Sequence, residues 1–587
     1  MKILKRLLST NYKKENKLSK YYNYINTKEI CNNNIFIECN KIETVFLNEL
    51  FNSEIIKSYN IYFTSRDDSK YESDEYFEKL ATSKYIITDY LFNDCFVKRD
   101  GQVAMNYWNY DNPFNEDSFN VGLIQRTFLK SDYIVFDKKE NVLLNSYMIN
   151  NLVSGKVIIE SNYVKVFESI LEGKKIKSEK VGNNKENILI YGGNLSRNGI
   201  TTALKNLLNN IDLDKKNYYV VYDEELAKNY KESLSELPKK VGYLGINSNT
   251  MMSKMTHVKF LMFRANLLGL SSIKDKVVDA YKTDIKRLFG NTRIDSVIQF
   301  GGYDFRKIFL FSAFDCNRVI YVHSNMLSEI KTRSRQHLRS LKYAYQEYDK
   351  VAVITDSLIE STSKIGGRKD NIYVASNIID YEGIIKKSKE EVKLDSYSEC
   401  SVSLEELKEI LNSKDKKYIT IGRFSPEKSH DRLIRSFDKL YKDNKDIYLI
   451  IIGGHGELYN KTKELVNSLD SRERIILIKN VSNPYSILKK CDYFVLPSLY
   501  EGFGLVITEA DILGLSVITT DIDGPRKFLT ENGGTMVSNS EDGIYDGMKK
   551  LLNNEVKVMK VDSKTYNKHE IDNFYKLLEG LKNERKD

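Results

Sequence analysis

Short runs of β-favouring residues with almost no polar interruption recur along this chain, each followed by a segment long enough for a helix. "NILIYGG", "YYVVYD", "DSVIQFGG", "RVIYVHSN", "KVAVITDS" and "NIYVASNIID" form one series; "KYITIGRFS", "IYLIIIGGHG", "RIILIKNV", "YFVLPS" and "SVITTDID" form another. A strand that is apolar on both faces has to be covered on both faces. Parallel sheets flanked by helices achieve this, and half-exposed antiparallel sheets do not. The pattern therefore predicts two α/β domains with a cleft between them. An earlier series, "NIFIEC", "IYFTS", "YIITD" and "YIVFD", predicts an additional N-terminal α/β domain over residues 30–180.

At 587 residues the chain exceeds what one core can organise. The charged stretch "EGKKIKSEKVGNNKEN" and the polar linker "KSKEEVKLDSYSECSVSLEELKEILNSKDK", with one predicted helix, break the series, so the predicted segments are 1–180, 186–400, 415–560 and a C-terminal helix in 561–587. A composition of 41% hydrophobic and 29% charged residues excludes disorder as the default. The net charge of +9 is small for this length and calls for no nucleic-acid partner, yet the first twenty residues carry seven basic side chains against one acidic. That start would suit an anionic inner-leaflet membrane surface or a polyphosphate acceptor, and deleting residues 1–20 is expected to weaken vesicle binding. No signal-peptide core and no long apolar window is present, which predicts a cytoplasmic location, peripheral to the membrane at most. The six cysteines lack Cys-x-x-Cys spacing and read as reduced, mostly buried thiols. Residues 251–270, "MMSKMTHVKFLMFRANLLGL", with Lys254, Lys259 and Arg264, read either as a helix on a membrane surface or as a buried helix. A homo-oligomer is left open.

The chemistry concentrates in the last series. In open parallel sheets, ligands sit beyond the carboxyl ends of strands, against backbone N–H groups and helix N-termini. "SLYEGFGLVITEA" has that layout: a strand, the turn Glu501-Gly502-Phe503-Gly504, then a helix. Gly502 and Gly504 let the backbone approach an anion, Glu501 is placed to meet the hydroxyls of an attached sugar, and Glu509 to accept hydrogen bonds from a ribose. In "IGRFSPEKSHDRL", Arg423 and Lys428 sit on the loop after a strand, where two cations neutralise a diphosphate as a leaving group. In "YGGNLSRNGI", Gly192 and Gly193 end a strand and leave room for ligand, with Asn194 or Ser196 available to cap the next helix. Gly-x-Gly-x-x-Gly is absent, so a nicotinamide or flavin dinucleotide is not favoured. His323 ends another strand. Asp521 and Asp523 read as a strand-end turn and not as metal ligands.

Taken together, "GRFSPEKSHDRLIRSF", "IIGGHGEL", "PSLYEGFGLVITEA" and "SVITTDIDGPRKFL" resemble the retaining glycosyltransferases of family 4, over residues 186–587. The resemblance implies a GT-B fold, two Rossmann-like domains facing a cleft, with the donor on the C-terminal domain and the acceptor mostly on the N-terminal one. By the same resemblance Arg423 and Lys428 match the pair that binds the donor diphosphate, Glu501 the residue near the sugar's 3- and 4-hydroxyls, and Glu509 the ribose ligand. Gly502, Phe503 and Gly504 match the phosphate turn, Gly192 and Gly193 the opposing loop, His323 a histidine near the transferred sugar, and Asn480 the place where backbone groups read the base. The family needs no metal, and the leaving phosphate helps deprotonate the acceptor.

Residues 81–111 are similar to part of the CDP-glycerol glycerophosphotransferases of teichoic acid synthesis, in which a comparable stretch ends in Trp-His-Gly. Here Trp108 is followed by Asn109 and Tyr110, and an amide cannot accept a proton as an imidazole does. The segment reads as a relict or an acceptor-docking module. The expectation is a hexosyltransferase acting from a UDP-sugar, without metal or other cofactor, on a polymer or glycan acceptor such as teichoic acid. An active glycerophosphotransferase and a non-catalytic partner of another glycosyltransferase are the alternatives.

Overall fold

The computed structural model describes residues 12–40, 45–108, 121–138, 149–196, 198–227, 231–247, 249–333, 336–454, 456–559 and 561–580. The chain is α/β, with largely parallel sheets, and divides into two compact units. The first holds the described residues up to Ser196 together with Asp212–Ile320 and Arg339–Asp349. The second holds those of 197–211, Tyr321–Leu338 and Lys350 onward. Asn109 and Tyr110, and residues 1–11 of the basic start, lie outside the described residues.

In the first unit, β1 (Cys31–Cys39), β2 (Asn60–Ser65), β3 (Ser83–Thr88), β4 (Val103–Trp108), β5 (Tyr133–Phe136) and β6 (Lys156–Ile159) form a parallel sheet in the order β2-β1-β3-β4-β5-β6. Because side chains alternate between faces, Phe36, Ile86 and Ala104 pack on one side with Tyr76 and Phe77. Ile35, Ile37, Ile87 and Met105 pack on the other with Phe167. Further strands follow: β7 (Asn187–Tyr191), β8 (Asn217–Asp223), β9 (Gly242–Ile246), β10 (Ser296–Gln299) and β11 (Asn317–Val322). β7 pairs in parallel with both β8 and β10, β9 lies outside β8, and residues 317–320 of β11 lie outside β10.

Charged groups are buried inside this unit, on the helices Val121–Lys130 and Lys274–Phe289. Arg126 donates to Glu224 at 3.2 Å and to the Gly245 carbonyl at 2.6 Å; Arg287 donates to Asp284 at 2.6 Å and to the Asn249 carbonyl at 2.9 Å. Burial pushes the Lys130 ammonium down to about 7. Each guanidinium has several partners because a buried charge without them costs far more than its ion pair returns.

Of residues 251–270, Lys254–Arg264 form a helix whose Phe260 and Phe263 join a ring cluster with Phe305 and Phe309, while Met255 is exposed. The buried-helix reading therefore holds for the inner face. Among the described residues no helix is long and apolar enough to cross a membrane. The six cysteines carry free thiols, but only Cys39 and Cys95 are buried, fewer than expected.

The second unit contains the parallel pair β12 (Lys350–Val353) and β13 (Ile372–Val374) and a seven-stranded sheet. Its strands are β14 (Glu399–Cys400), β15 (Lys416–Ile421), β16 (Ile447–Gly453), β17 (Ile475–Lys479), β18 (Tyr493–Leu496), β19 (Ser516–Thr520) and β20 (Thr535–Val537), in the order β14-β17-β16-β15-β18-β19-β20. Ile419, Ile450, Ile476, Phe494 and Val517 feed one core, and Tyr418, Leu449, Leu477, Val495 and Ile518 the other, so both faces are covered. The polar linker supplies its predicted helix at Leu404–Asn412 and also β14, a two-residue antiparallel edge too short to leave a pattern. The C-terminal helix runs over Ser563–Leu578, where the Lys350 ammonium donates to the carbonyls of Lys576 and Leu577 and so caps its negative end.

Truncating Arg287 to Ala leaves Asp284 buried without its cation. It is expected to lower the unfolding free energy by about 3–5 kcal/mol, measured by urea denaturation with Trp108, the single and buried tryptophan, as fluorophore. A loss below about 1 kcal/mol, the range of exposed pairs, would show that the network does not hold the unit.

Candidate functional site

β15 is the first parallel strand of its sheet in chain order; the later strands lie on one side as β16 and β17 and on the other as β18, β19 and β20, with the short antiparallel β14 outside β17. Strand order reverses between β15 and β18, and a crevice opens beyond their carboxyl ends at such a point. Two loops fall there. The first, Gly422–Ser429, leaves β15; Gly422 has no side chain, and the stem of Lys428 lies where one would be, its Cδ 3.1 Å from the position of an added Cβ. The second, Pro497–Gly504, leaves β18. The Lys428 ammonium pairs with the Glu501 carboxylate, which also accepts from the Ser498 hydroxyl at 2.8 Å. The Leu499 amide donates to the Glu427 carbonyl at 2.8 Å and Arg432 to the Pro497 carbonyl at 2.7 Å, so backbone groups hold the loops together as well.

Arg423 donates to Glu427 at 2.9 Å, and Glu427 accepts from the Ser425 hydroxyl at 2.7 Å. The Arg423 side chain keeps 38% of its surface exposed against 15% for Lys428, so Arg423 is the cation more open to a ligand. Beneath the loop, His430 is buried, with Nε2 3.2 Å from the Gly422 carbonyl and 3.1 Å from that of Arg423. Burial pushes it down to about 4. Two carbonyl acceptors place the single imidazole proton on Nε2.

The Gly-Phe-Gly turn is defined by what surrounds it. A Cβ on Gly502 would lie 1.9 Å from the carbonyl oxygen of His323, so only glycine fits there. Gly504 has φ +79° and precedes the helix Leu505–Ile512, which has no side-chain cap. The Ile507 N–H donates to the Gly504 carbonyl at 2.8 Å, and the N–H groups before it in the helix have no side-chain cap to bond. The Phe503 ring packs against Phe528 and Tyr566, with centroids 5.2 and 6.2 Å away, which makes it an anchor for the turn. The His323 ring stacks on Tyr321 at 5.6 Å, so its carbonyl backs the turn.

Lys428, Glu501, Gly502 and His323 thus come together, and Arg423 joins them through Glu427 and the loop. Glu509, in the second turn of the helix, is only 7% exposed; its carboxyl accepts from the Tyr485 hydroxyl at 3.1 Å. Burial pushes it up to about 7, against the opposing pull of that hydrogen bond and of Lys387. Asn480 has φ +61°; its N–H donates to the Gly453 carbonyl at 2.9 Å, and its carbonyl accepts from Ser398 at 2.7 Å. Gly192 and Gly193 belong to the first unit, where they follow β7 at its own reversal of strand order, Gly193 with φ +73°. The following helix is capped by Asn198, which accepts from Ile200 and Thr201, and not by Asn194 or Ser196. The cap has to abut the first helical residue, and Asn194 instead closes a turn onto the Ser196 amide.

Asp521 and Asp523 are both held by Arg526, at 2.7 and 2.6 Å. Ser498, Glu427, His430 and Tyr485 are the members that sequence reasoning missed. Only "SPEKSHD" carried a signal, in the density of polar residues directly after a strand.

Residues 404–568 match the family model "Glycosyl transferases group 1". A relative from Campylobacter jejuni, "N-acetylgalactosamine-N,N'-diacetylbacillosaminyl-diphospho-undecaprenol 4-alpha-N-acetylgalactosaminyltransferase", is 29% identical over 30% of this chain and 44% of its own length. The "Capsular polysaccharide biosynthesis glycosyltransferase CapM" of Staphylococcus aureus is 30% identical over 23% of this chain and 36% of its own. The Escherichia coli "UDP-Gal:alpha-D-GlcNAc-diphosphoundecaprenol alpha-1,3-galactosyltransferase" is 31% identical over 22% and 31%. The chain spans less than half the length of each of these relatives.

Glu509 gives the site a pH signature. Its carboxyl titrates near 7 in the folded chain and near 4.5 when solvated, so its stabilising contribution is full below about 4.5 and is lost as pH rises through 7. His430 runs the other way, losing stability as pH falls from 6.5 toward 4. Glu509→Gln, which stays neutral and can still bond Tyr485, is expected to flatten the decline between pH 5 and 7, by at most about 3 kcal/mol. Melting curves across that range, with His430 common to both proteins, measure the difference; parallel curves would place Glu509 in contact with water.

Proposed function

We propose that the chain is a retaining hexosyltransferase that takes glucose or an N-acetylhexosamine from a UDP-sugar and passes it to a cell-wall polymer, teichoic acid in particular. The observation that carries this is the meeting of Lys428, Glu501 and Ser498 beside an uncapped helix start, at the reversal of strand order between β15 and β18. The match of residues 404–568 to the group 1 glycosyl transferases supports it.

In this reading the diphosphate lies on the first N–H groups of the helix Leu505–Ile512. An ammonium has three N–H donors and a guanidinium five, so Lys428 can bond Glu501 and a phosphate oxygen together, and Arg423 can do so while holding Glu427. Glu501, fixed by Ser498 and Lys428, accepts from the sugar hydroxyls. As the bond to the leaving phosphate lengthens, the charge growing on its oxygen falls beside these donors, which are already in place. That oxygen takes the acceptor's proton, so no residue has to act as base and no metal is required. His323 flanks the transferred sugar, and Asn480 and Glu509 lie toward the nucleoside.

The uridine nucleotide is supported by the E. coli relative, whose name gives UDP-Gal as its donor. The polymer acceptor is supported by the capsular polysaccharide role in the name of the S. aureus relative. Teichoic acid rests on the N-terminal likeness alone. Trp108, the landmark of that likeness, is a core residue packed on Phe128 at 5.2 Å, and this favours a docking module over a second catalytic centre.

A panel of UDP-, GDP-, ADP- and CDP-linked donors, scored by release of nucleotide, tests the reading, with UDP-sugars expected to turn over. Lys428→Ala and Glu501→Ala are each expected to lower turnover about 100- to 1000-fold while leaving the fold intact. Full activity in either variant would remove the site assignment. Incorporation of glycerol phosphate from CDP-glycerol would make the N-terminal domain the active one.

A further inference from the structure

We propose that the outward face of the helix Lys254–Arg264, with the cavity beside its C-terminal end, is a docking surface for an anionic phospholipid bilayer. From Met251 to Lys274 the chain carries no acidic residue, while it carries Lys254, Lys259, Arg264 and Lys274. Such one-signed runs are uncommon in a surface where acidic and basic residues otherwise nearly balance, at 81 and 90.

The helix is apolar on two sides. Inward, Phe260 and Phe263 close a ring cluster with Phe305 and Phe309. Outward, Met255 is 65% and Val258 38% exposed, one turn apart and therefore on one stripe, and Leu267 just beyond the helix is 64% exposed. A solvated helix needs only its inner stripe. A second stripe flanked by cations is the pattern of a helix lying in a headgroup layer, apolar side down and ammonium groups reaching out to phosphates.

The cavity extends the same chemistry. It encloses about 500 Å³ between Phe263, Leu268 and Tyr343, with Lys274, Arg339 and Lys342 around it. Glu347 pairs with Lys274, and Arg339 donates to the Leu268 carbonyl at 3.1 Å, which fixes the loop holding Leu267. The excess of cations over the one carboxylate complements anionic headgroups, and the apolar walls complement the start of an acyl chain. A protein partner would have to answer the same run of positive charge with a matching acidic face; a bilayer of acidic lipid presents one everywhere.

The test is co-sedimentation of the full chain with vesicles of phosphatidylglycerol and phosphatidylcholine, against phosphatidylcholine alone. Binding is expected only with the anionic lipid and is expected to weaken with salt. The double variant Lys254→Glu, Lys259→Glu should weaken it at least about five-fold per cation. Met255→Asp with Val258→Asp should weaken it comparably, with melting temperature and donor turnover unchanged. Absence of binding by the unaltered chain, or binding by either variant as tight as that of the unaltered chain, would overturn the proposal. So would sedimentation showing that the aspartates only dissociate a dimer, since the stripe would then be covered by a second copy.

Discussion

The reversal of strand order between β15 and β18 is the constraint on which the candidate site depends. Parallel strands send every carboxyl end to the same edge, and helices departing on opposite faces leave an opening between those two strands. The loops after β15 and β18 meet there, and the Lys428–Glu501 pair joins them side chain to side chain.

Charge at this site is arranged so that little of it is uncompensated. Lys428 is set against Glu501 and Arg423 against Glu427, while burial keeps the His430 imidazole neutral and drives Glu509 toward its neutral form near pH 7. Two bare cations in a partly enclosed crevice would repel each other and resist desolvation. With a carboxylate beside each, the cations stay fixed and still have donors to offer an anionic ligand. Glycine is required at Gly502, where the closeness of the His323 carbonyl excludes any side chain.

The first unit is held by different means. Buried guanidinium groups at Arg126 and Arg287 bind carboxylates and carbonyls from segments far apart in the chain. Such contacts contribute more to fixing one arrangement than to net stability, because desolvation offsets much of their attraction. The same unit carries the doubly apolar helix Lys254–Arg264, whose inner rings need no help from its outer stripe.

Much of this was legible in the sequence, because the responsible interactions are local or periodic. Runs such as "IYLIII" and "YFVLP" can be buried on both faces only in parallel sheets, and the Gly-Phe-Gly turn after a strand marks a backbone approach whatever surrounds it. β14 was not legible, since two residues carry no period. Neither was the cap at Asn198, where Asn194 and Ser196 were equally plausible by type and only adjacency to the helix decided. By itself the sequence determined the α/β class, most of the strands and the loops that hold the charged residues. Tertiary structure alone decided that Lys428 meets Glu501 across 73 positions of chain, that Glu509 is buried against Tyr485, and that Phe503 faces the core. Strand order and burial arise from packing between distant segments, and no local pattern records which distant segment that will be.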